Sequence, residues 1–305
     1  MAQDPISAYD RIDFSRLSVV VGQLGGDDST DIVRQLAILG IRNPKVNQEP
    51  AKIRRSIEVD NPDLLICNMT VAQDAAHEIV HGVRHQDIGA NPFIVTLSLA
   101  GPLAQADIVK TVDSGTDDLM QAPFSRDHFV MRVNELARRR KKFVATSSFI
   151  GPTRRTSTAP GRRSAEEFAV PNPVRATGTG MPRYELKKEI EAAAKALNVR
   201  KLHSDIVLIG ELVSEIVPDY KSSTIGDDFK RRIGMLQSAI ATIHHRAERL
   251  GFENLISLCE LSGNIVIEIK ERPIPPNLRH LRALPKMVEG FHLALTAMAE
   301  DLPFN

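Results

Sequence analysis

Three histidines at regular spacing are the first residues of this 305-residue chain whose types could do chemistry. His77, His81 and His85 recur at steps of four, which on a helix places three imidazoles on one face, a geometry suited to zinc or nickel. Without carboxylate or cysteine partners to complete a ligand set, a solvated helix face is the favoured reading, and no metal or cofactor is assigned. Cys67 and Cys259 both sit inside apolar runs, the setting of buried thiols in a reducing compartment. Ser157, Thr158 and Ser164 lie among arginines, where a regulatory phosphate could be placed. The run RRRKK at 138–142 could meet an acidic surface or nucleic acid, but it also ends a candidate helix, where cations complement the dipole. No nucleophile elbow, phosphate loop, metalloprotease helix or dinucleotide fingerprint occurs, and ATGTGMP lacks the preceding strand such a fingerprint needs.

The elements that must position these residues follow from periodicity. Short apolar runs alternate with amphipathic segments from Leu17 to about Arg140, the pattern of a parallel sheet covered by helices. Candidate strands are Leu17 to Gly22, Lys45 to Asn47, Asp63 to Asn68, Phe93 to Ser98 and Asp118 to Ala122. Candidate helices between them are Thr30 to Leu39, Ala51 to Val59, Ala72 to Arg84, Ala104 to Asp113 and Arg126 to Arg140. LSVVVG and DLLICN are nearly continuous apolar runs, as strands buried on both faces must be. Residues 138–163 then carry nine basic residues and no acid, and up to Pro182 no period is sustained, which reads as an extended and partly disordered linker.

From Arg183 the period becomes helical. Leu202, Ile206, Ile209, Val213 and Ile216 form one seam, Phe229 to Leu250 a second and Leu284 to Met298 a third. Phe252 to Ile269 is a fourth candidate helix weakened by Gly263, and Pro218, Gly251 and the Pro273/Pro275/Pro276 cluster punctuate the set. The expected organisation is an N-terminal tail at 1–14, an α/β unit with a doubly wound five-stranded parallel sheet at 15–140, a basic flexible linker at 141–182 and an all-α antiparallel bundle at 183–305. The seams leave room for a homodimer through the same surface.

Three segments at 15–140 resemble the receiver domain of bacterial two-component response regulators: PDLLICNM at 62–69, IVTLSLAG at 94–101 and SGTDDLMQAPFS at 114–125. The resemblance implies a site that binds a divalent cation and takes a phosphoryl group on an aspartate, and this chain departs from it throughout. Gly22 and Gln23 stand where the family has its acidic pair, Asn68 at the phosphoacceptor, Ala122 at the lysine and Leu119 at the aromatic switch, while Ser98 retains the switch hydroxyl. An amide forms no acyl phosphate and a neutral pocket holds no magnesium, so the resemblance implies a switch fold without its trigger. Asp27 and Asp28 could approach the pocket in a rearranged loop, but Asp28, Ser29 or Thr30 capping the next helix is the simpler account. The resemblance also implies a cis peptide at Ala122-Pro123. FVATSSFIGPTRR at 143–155 is similar to a GPDRR-like tail that follows some single receivers, with Thr153 in place of the acid.

Residues 239–255 are similar to histidine phosphotransfer domains, whose phosphorylatable histidine precedes a helix-ending glycine by ten residues. Counting back from Gly251 reaches Ala241, and His244 and His245 fall where that family has Lys and Gly.

The function expected is that of a non-catalytic signalling adaptor, not an enzyme, acting by contact with other signalling proteins (a kinase, receiver or regulator) through Leu119, Phe124 and Phe129. The alternatives are a phosphorelay component using His244 or His245, or a DNA-binding regulator. Seventeen Lys/Arg against seventeen Asp/Glu in 183–305, and a net charge of +1 overall, argue against nucleic acid. Charges in MAQDPISAYDRIDF and the lack of a long apolar run argue against a signal peptide and a membrane partner, leaving the cytoplasm as the default.

Overall fold

Apolar runs that lack alternation must be buried on both faces, and the sheet accommodates them that way. The computed structural model describes residues 12–23, 29–68, 73–101, 103–154 and 166–300. Strands β1 (Val19–Gln23), β2 (Lys45–Asn47), β3 (Leu64–Asn68), β4 (Val95–Ala100) and β5 (Asp118–Gln121) form a five-stranded sheet in the order β2-β1-β3-β4-β5, with every adjacent pair parallel. This is the flavodoxin-like doubly wound order, in which strand order reverses beside β1. Helices α1 (Ser29–Ile38), α2 (Pro50–Asp60), α3 (Gln73–His85), α4 (Gln105–Asp113) and α5 (Arg126–Arg138) alternate with the strands.

The two faces of the sheet have separate cores. Val19, Val21, Leu64, Ile66 and Leu97 pack with Ile32 and Leu36 of α1 and Phe129 and Val133 of α5. Val20, Leu65 and Cys67 pack with Ile53 and Ile57 of α2 and Ile79 and Val83 of α3. Each fully buried aliphatic side chain of this kind is worth about 1.5–3 kcal/mol.

The structure differs from sequence expectation after α5. The segment 141–182 has linker composition, yet its described parts fold onto the sheet unit. Strands β6 (Phe143–Ala145) and β7 (Ile150–Pro152) form an antiparallel hairpin, and Phe143 also pairs with Phe168. Helix α6 (Pro173–Gly178) starts at Asn172, whose side chain accepts from the Arg175 N–H, and sends Val174 into the first of the two sheet cores. Four scattered apolar residues, Phe143, Ile150, Phe168 and Val174, anchor the segment, too few and too irregular to show a period. Asp27, Asp28, Ser157, Thr158 and Ser164 lie outside the described residues.

Two compact units result, one ending at Ala194 and the other starting at Lys195, a boundary inside helix α7 (Arg183–Lys221). The second unit continues with α8 (Asp227–Leu250), α9 (Glu253–Glu271) and α10 (Leu278–Glu300). Its core joins Leu202, Ile206 and Ile209 of α7 to Phe229 and Leu236 of α8, Cys259 and Val266 of α9, and Leu284 and Phe291 of α10. Gly263 does not break α9, because four neighbouring residues, Leu255, Cys259, Val266 and Ile269, are buried and outweigh a propensity cost of about 1 kcal/mol. Pro218 does not end α7 either. The helix runs on to Lys221, held by the fully buried Tyr220, whose ring stacks on Phe229 with centroids 6.2 Å apart. Gly251 closes α8 in the left-handed conformation at φ 72°, as its position predicts. The Ala122-Pro123 peptide is cis, as expected, and so is Ile274-Pro275. Among the described residues no helix is long and apolar enough to cross a membrane.

Candidate functional site

In doubly wound sheets the carboxyl ends of the strands form the ligand crevice, and here that edge is built from neutral groups. Gln23 ends β1 and Asn68 ends β3; the two are register partners, and both are buried. Gly22 faces α2, where a Cβ would come 2.9 Å from Ile53 Cδ1, so close helix packing accounts for the glycine. Ala122 follows β5 and donates its N–H to the Ala100 carbonyl at 2.7 Å. No carboxylate and no lysine stands at these four positions, Gly22, Gln23, Asn68 and Ala122.

Ser98 shares a face with Gly22, since both are register partners of Cys67. Strand β4 begins and ends two residues later than its apolar pattern predicts. Its register with β3 is one position off an Asn68–Ser98 pairing: Ser98 pairs with Cys67 while Leu99 pairs with Asn68. Alternate residues of a strand point to opposite faces, and Ser98 therefore lies on the other face of the sheet from Asn68. Its hydroxyl donates to Thr116 Oγ1 at 2.9 Å, and the residue is fully buried.

The charges sit at the opposite, amino-terminal edge. Asp63, just before β3, accepts from the Ser18 N–H at 2.9 Å, from Thr177 Oγ1 at 2.9 Å and from both terminal nitrogens of Arg183 at 2.7 and 2.9 Å. Asp117, just before β5, accepts from the Thr96 N–H, from Arg84 Nη2 and from Arg140 Nε and Nη2, at 2.8 to 3.1 Å. Arg84 is fully buried, and five hydrogen bonds, to Gly115 O, Pro92 O, Ile94 O, Thr96 Oγ1 and Asp117 Oδ2, use all of its donors. The Phe143 ring lies 5.1 Å from the Arg84 guanidinium carbon and 5.0 Å from that of Arg140, adding cation–π contacts to the buried pair. Burial works to raise the Asp117 carboxyl, but the Arg140 and Arg84 charges prevail and hold it below the ordinary carboxylate range. Burial pulls Arg84 down to about 10, which leaves it charged at neutral pH. Sequence reading placed Arg140 in an exposed basic run; the signal that could have marked it is Asp117, an acid at the mouth of an apolar strand.

The same region explains the glycines of SGTDD and GPTRR. Gly115 has φ +88°, and a Cβ there would collide with the Ile150 carbonyl oxygen; a Cβ on Gly151 would come 2.8 Å from Gly115 Cα. Backbone meets backbone, and Arg154 closes the contact by donating to the Thr116 carbonyl at 2.7 Å.

The remaining candidates are placed as follows. Phe129 is fully buried and stacks under Phe124, so it supports the α5 surface from beneath and cannot meet a partner directly. Leu119 and Phe124 are half-buried, while Val109 of α4 and Met131 of α5 are each 48% exposed. His77 is buried, not solvated. Thr111 Oγ1 donates to the Asp107 carbonyl and therefore accepts from His77 Nε2 at 2.9 Å, and burial lowers the imidazole pKa. The His81 and His85 rings stack with centroids 4.0 Å apart, and among the described residues no group of His, Cys, Asp and Glu could hold a metal ion. In α8, His244 lies 3.7 Å from Glu248 and 3.9 Å from Glu260, and His245 lies 3.6 Å from Glu248. A phosphoryl group on either imidazole would face these carboxylates at close range, which is unfavourable.

No family model matches the chain, and no curated protein matches it. Among solved structures it is similar to the crystal structure of the signal receiver domain of a Vibrio parahaemolyticus protein described as a Luxo repressor. That likeness has 16% identity and a TM-score of 0.31, and covers 39% of this chain and 87% of the other.

Proposed function

We propose that this chain is a non-catalytic signalling adaptor whose sheet unit keeps a doubly wound scaffold and works by contact instead of phosphoryl transfer. One observation carries the reading: the carboxyl edge of the sheet ends in the buried amides of Gln23 and Asn68. Phosphoryl transfer needs a nucleophilic carboxylate and a cation to neutralise developing charge, and amides supply neither. The message is then carried by surface. The face formed by α4, β5 and α5 supports this role, because Val109 of α4 and Met131 of α5 are exposed while Leu119 and Phe124 are half-buried. Its partners are other signalling proteins, and no cofactor is required.

The test is incubation of the full chain with acetyl phosphate and magnesium, followed by intact mass measurement. The adaptor reading expects no phosphoryl adduct, and it expects none on His244 or His245 when a phosphorylated receiver is the donor. An adduct at residue 68 or in the adjoining strand-end loops would overturn it.

A further inference from the structure

Helices α9 and α10 pack side by side, with Leu258 3.3 Å from where a Cβ on Gly290 would stand and His280 Nε2 2.8 Å from Glu268 Oε2. On the outer flank of this junction two leucines stand in solvent, Leu261 of α9 at 65% and Leu293 of α10 at 72% exposure. Between them the floor is small or half-buried (Leu258, Ile265, Gly290, Ala294), and at one end it opens into a depression of about 300 Å³ lined by Phe252, Leu255, Ala294 and Ala297 with Glu253 and Asn254 at its edge. One rim is charged. Arg279, Arg282 and Lys286 follow each other at steps of three and four on α10, on the flank that also bears Leu293. All three are exposed, and none of their side chains has an ion-pair partner among the described residues. The α9 rim opposite offers Asn254, Ser257 and Asn264 and two acids: Glu268 already holds His280, and Glu253 stands at the far end beside the depression, away from the three cations.

We infer that the α9–α10 groove receives an amphipathic helix of a partner protein that carries leucine-like anchors on one face and carboxylates along its flank. The groove supplies an apolar floor with two leucine walls, and the unpaired cations select the sign of the flank. A second copy of this chain fits less well. It would bring the same three cations toward the first set, with Glu289 the one unengaged carboxylate on that flank of α10. This inference concerns the second unit and stands apart from the reading of the strand-end site.

The test uses the full chain and a fluorescein-labelled synthetic helix with leucines at i, i+3 and i+7 and glutamates on the flanks, beside its isomer with lysines there. Anisotropy titration should show the glutamate helix binding roughly tenfold more tightly than the lysine helix. Leu293→Asp and the double variant Arg282→Glu/Lys286→Glu change only exposed residues and keep the circular dichroism spectrum. Each should weaken binding by about tenfold or more. Equal affinity for both helices, binding of neither, or indifference to both variants would overturn the inference. So would co-sedimentation with phosphatidylglycerol vesicles that the same variants abolish while the glutamate helix is ignored, which would assign the face to a lipid surface. A sedimentation-equilibrium dimer lost in Leu261→Asp would assign it to a second copy and equally defeat the inference.

Discussion

Asp117 is the residue on which most of the sheet unit's buried charge depends. It neutralises two arginines that have almost no access to water, and removing one member of such a set leaves an uncompensated charge inside the protein. Asp117→Asn should cost about 3–5 kcal/mol in urea unfolding, since the amide keeps the shape but not the charge. The pH dependence has a definite sign. The folded carboxyl lies below its unfolded value near about 3.9, so its contribution is fully present above that pH and is lost as pH falls through the lower folded value. Acid titration of the wild type should therefore show a stability loss below about pH 4 that Asp117→Asn lacks. The thiols offer a second check. Burial pushes Cys67 up to about 12, and burial with Glu260 nearby does the same for Cys259. Both should resist a thiol-disulfide reagent at pH 8 and react together once urea unfolds the chain; fast modification of the native protein would contradict their placement.

At the scale of elements, the β6–β7 hairpin is held by glycines more than by its own three-residue strands. Gly115 occupies a conformation side chains avoid and has no room for a Cβ. Gly115→Ala should lower stability by more than about 1 kcal/mol. It should also raise hydrogen exchange at Val144 and Gly151, which pair across the hairpin. Wild-type exchange there would show that the hairpin does not depend on this contact. Within the first unit, the first residue of α7, Arg183, forms a bidentate pair with the buried Asp63. Because the guanidinium is half in solvent, Arg183→Ala should cost less than Asp63→Ala, which also strands the Ser18 N–H and the Thr177 hydroxyl.

For the whole molecule, the amino-terminal edge of the sheet holds the buried ion pairs and the carboxyl edge holds amides. A magnesium site would stabilise the folded state by mass action, shifting the melting temperature as the ion saturates. Millimolar magnesium should leave the melting curve where calcium-free, magnesium-free buffer puts it, at constant ionic strength. A saturable upward shift would point to a cation site and count against the adaptor reading.

Strand and helix positions were legible because burial on two faces demands continuous apolar runs, and helical packing demands steps of three and four. The amide at the end of β3 was legible too, since Asn68 carries no carboxylate in any conformation. Other features were not written in any local pattern. Ser98 lies on the face opposite Asn68 because register is set by the neighbouring strands, and a register one position off turns a side chain to the other face. Phe129 looked available and is core; Arg140 looked solvated and its side chain is shielded from water; residues 143–152 and 168–178 looked like linker and carry four anchoring side chains. Local sequence determined which segments could form strands and helices, because that depends on period alone. Only the tertiary structure decided which charges went inside, because a buried arginine is permitted by its partner, and Asp117 lies 33 residues from Arg84 and 23 from Arg140 along the chain.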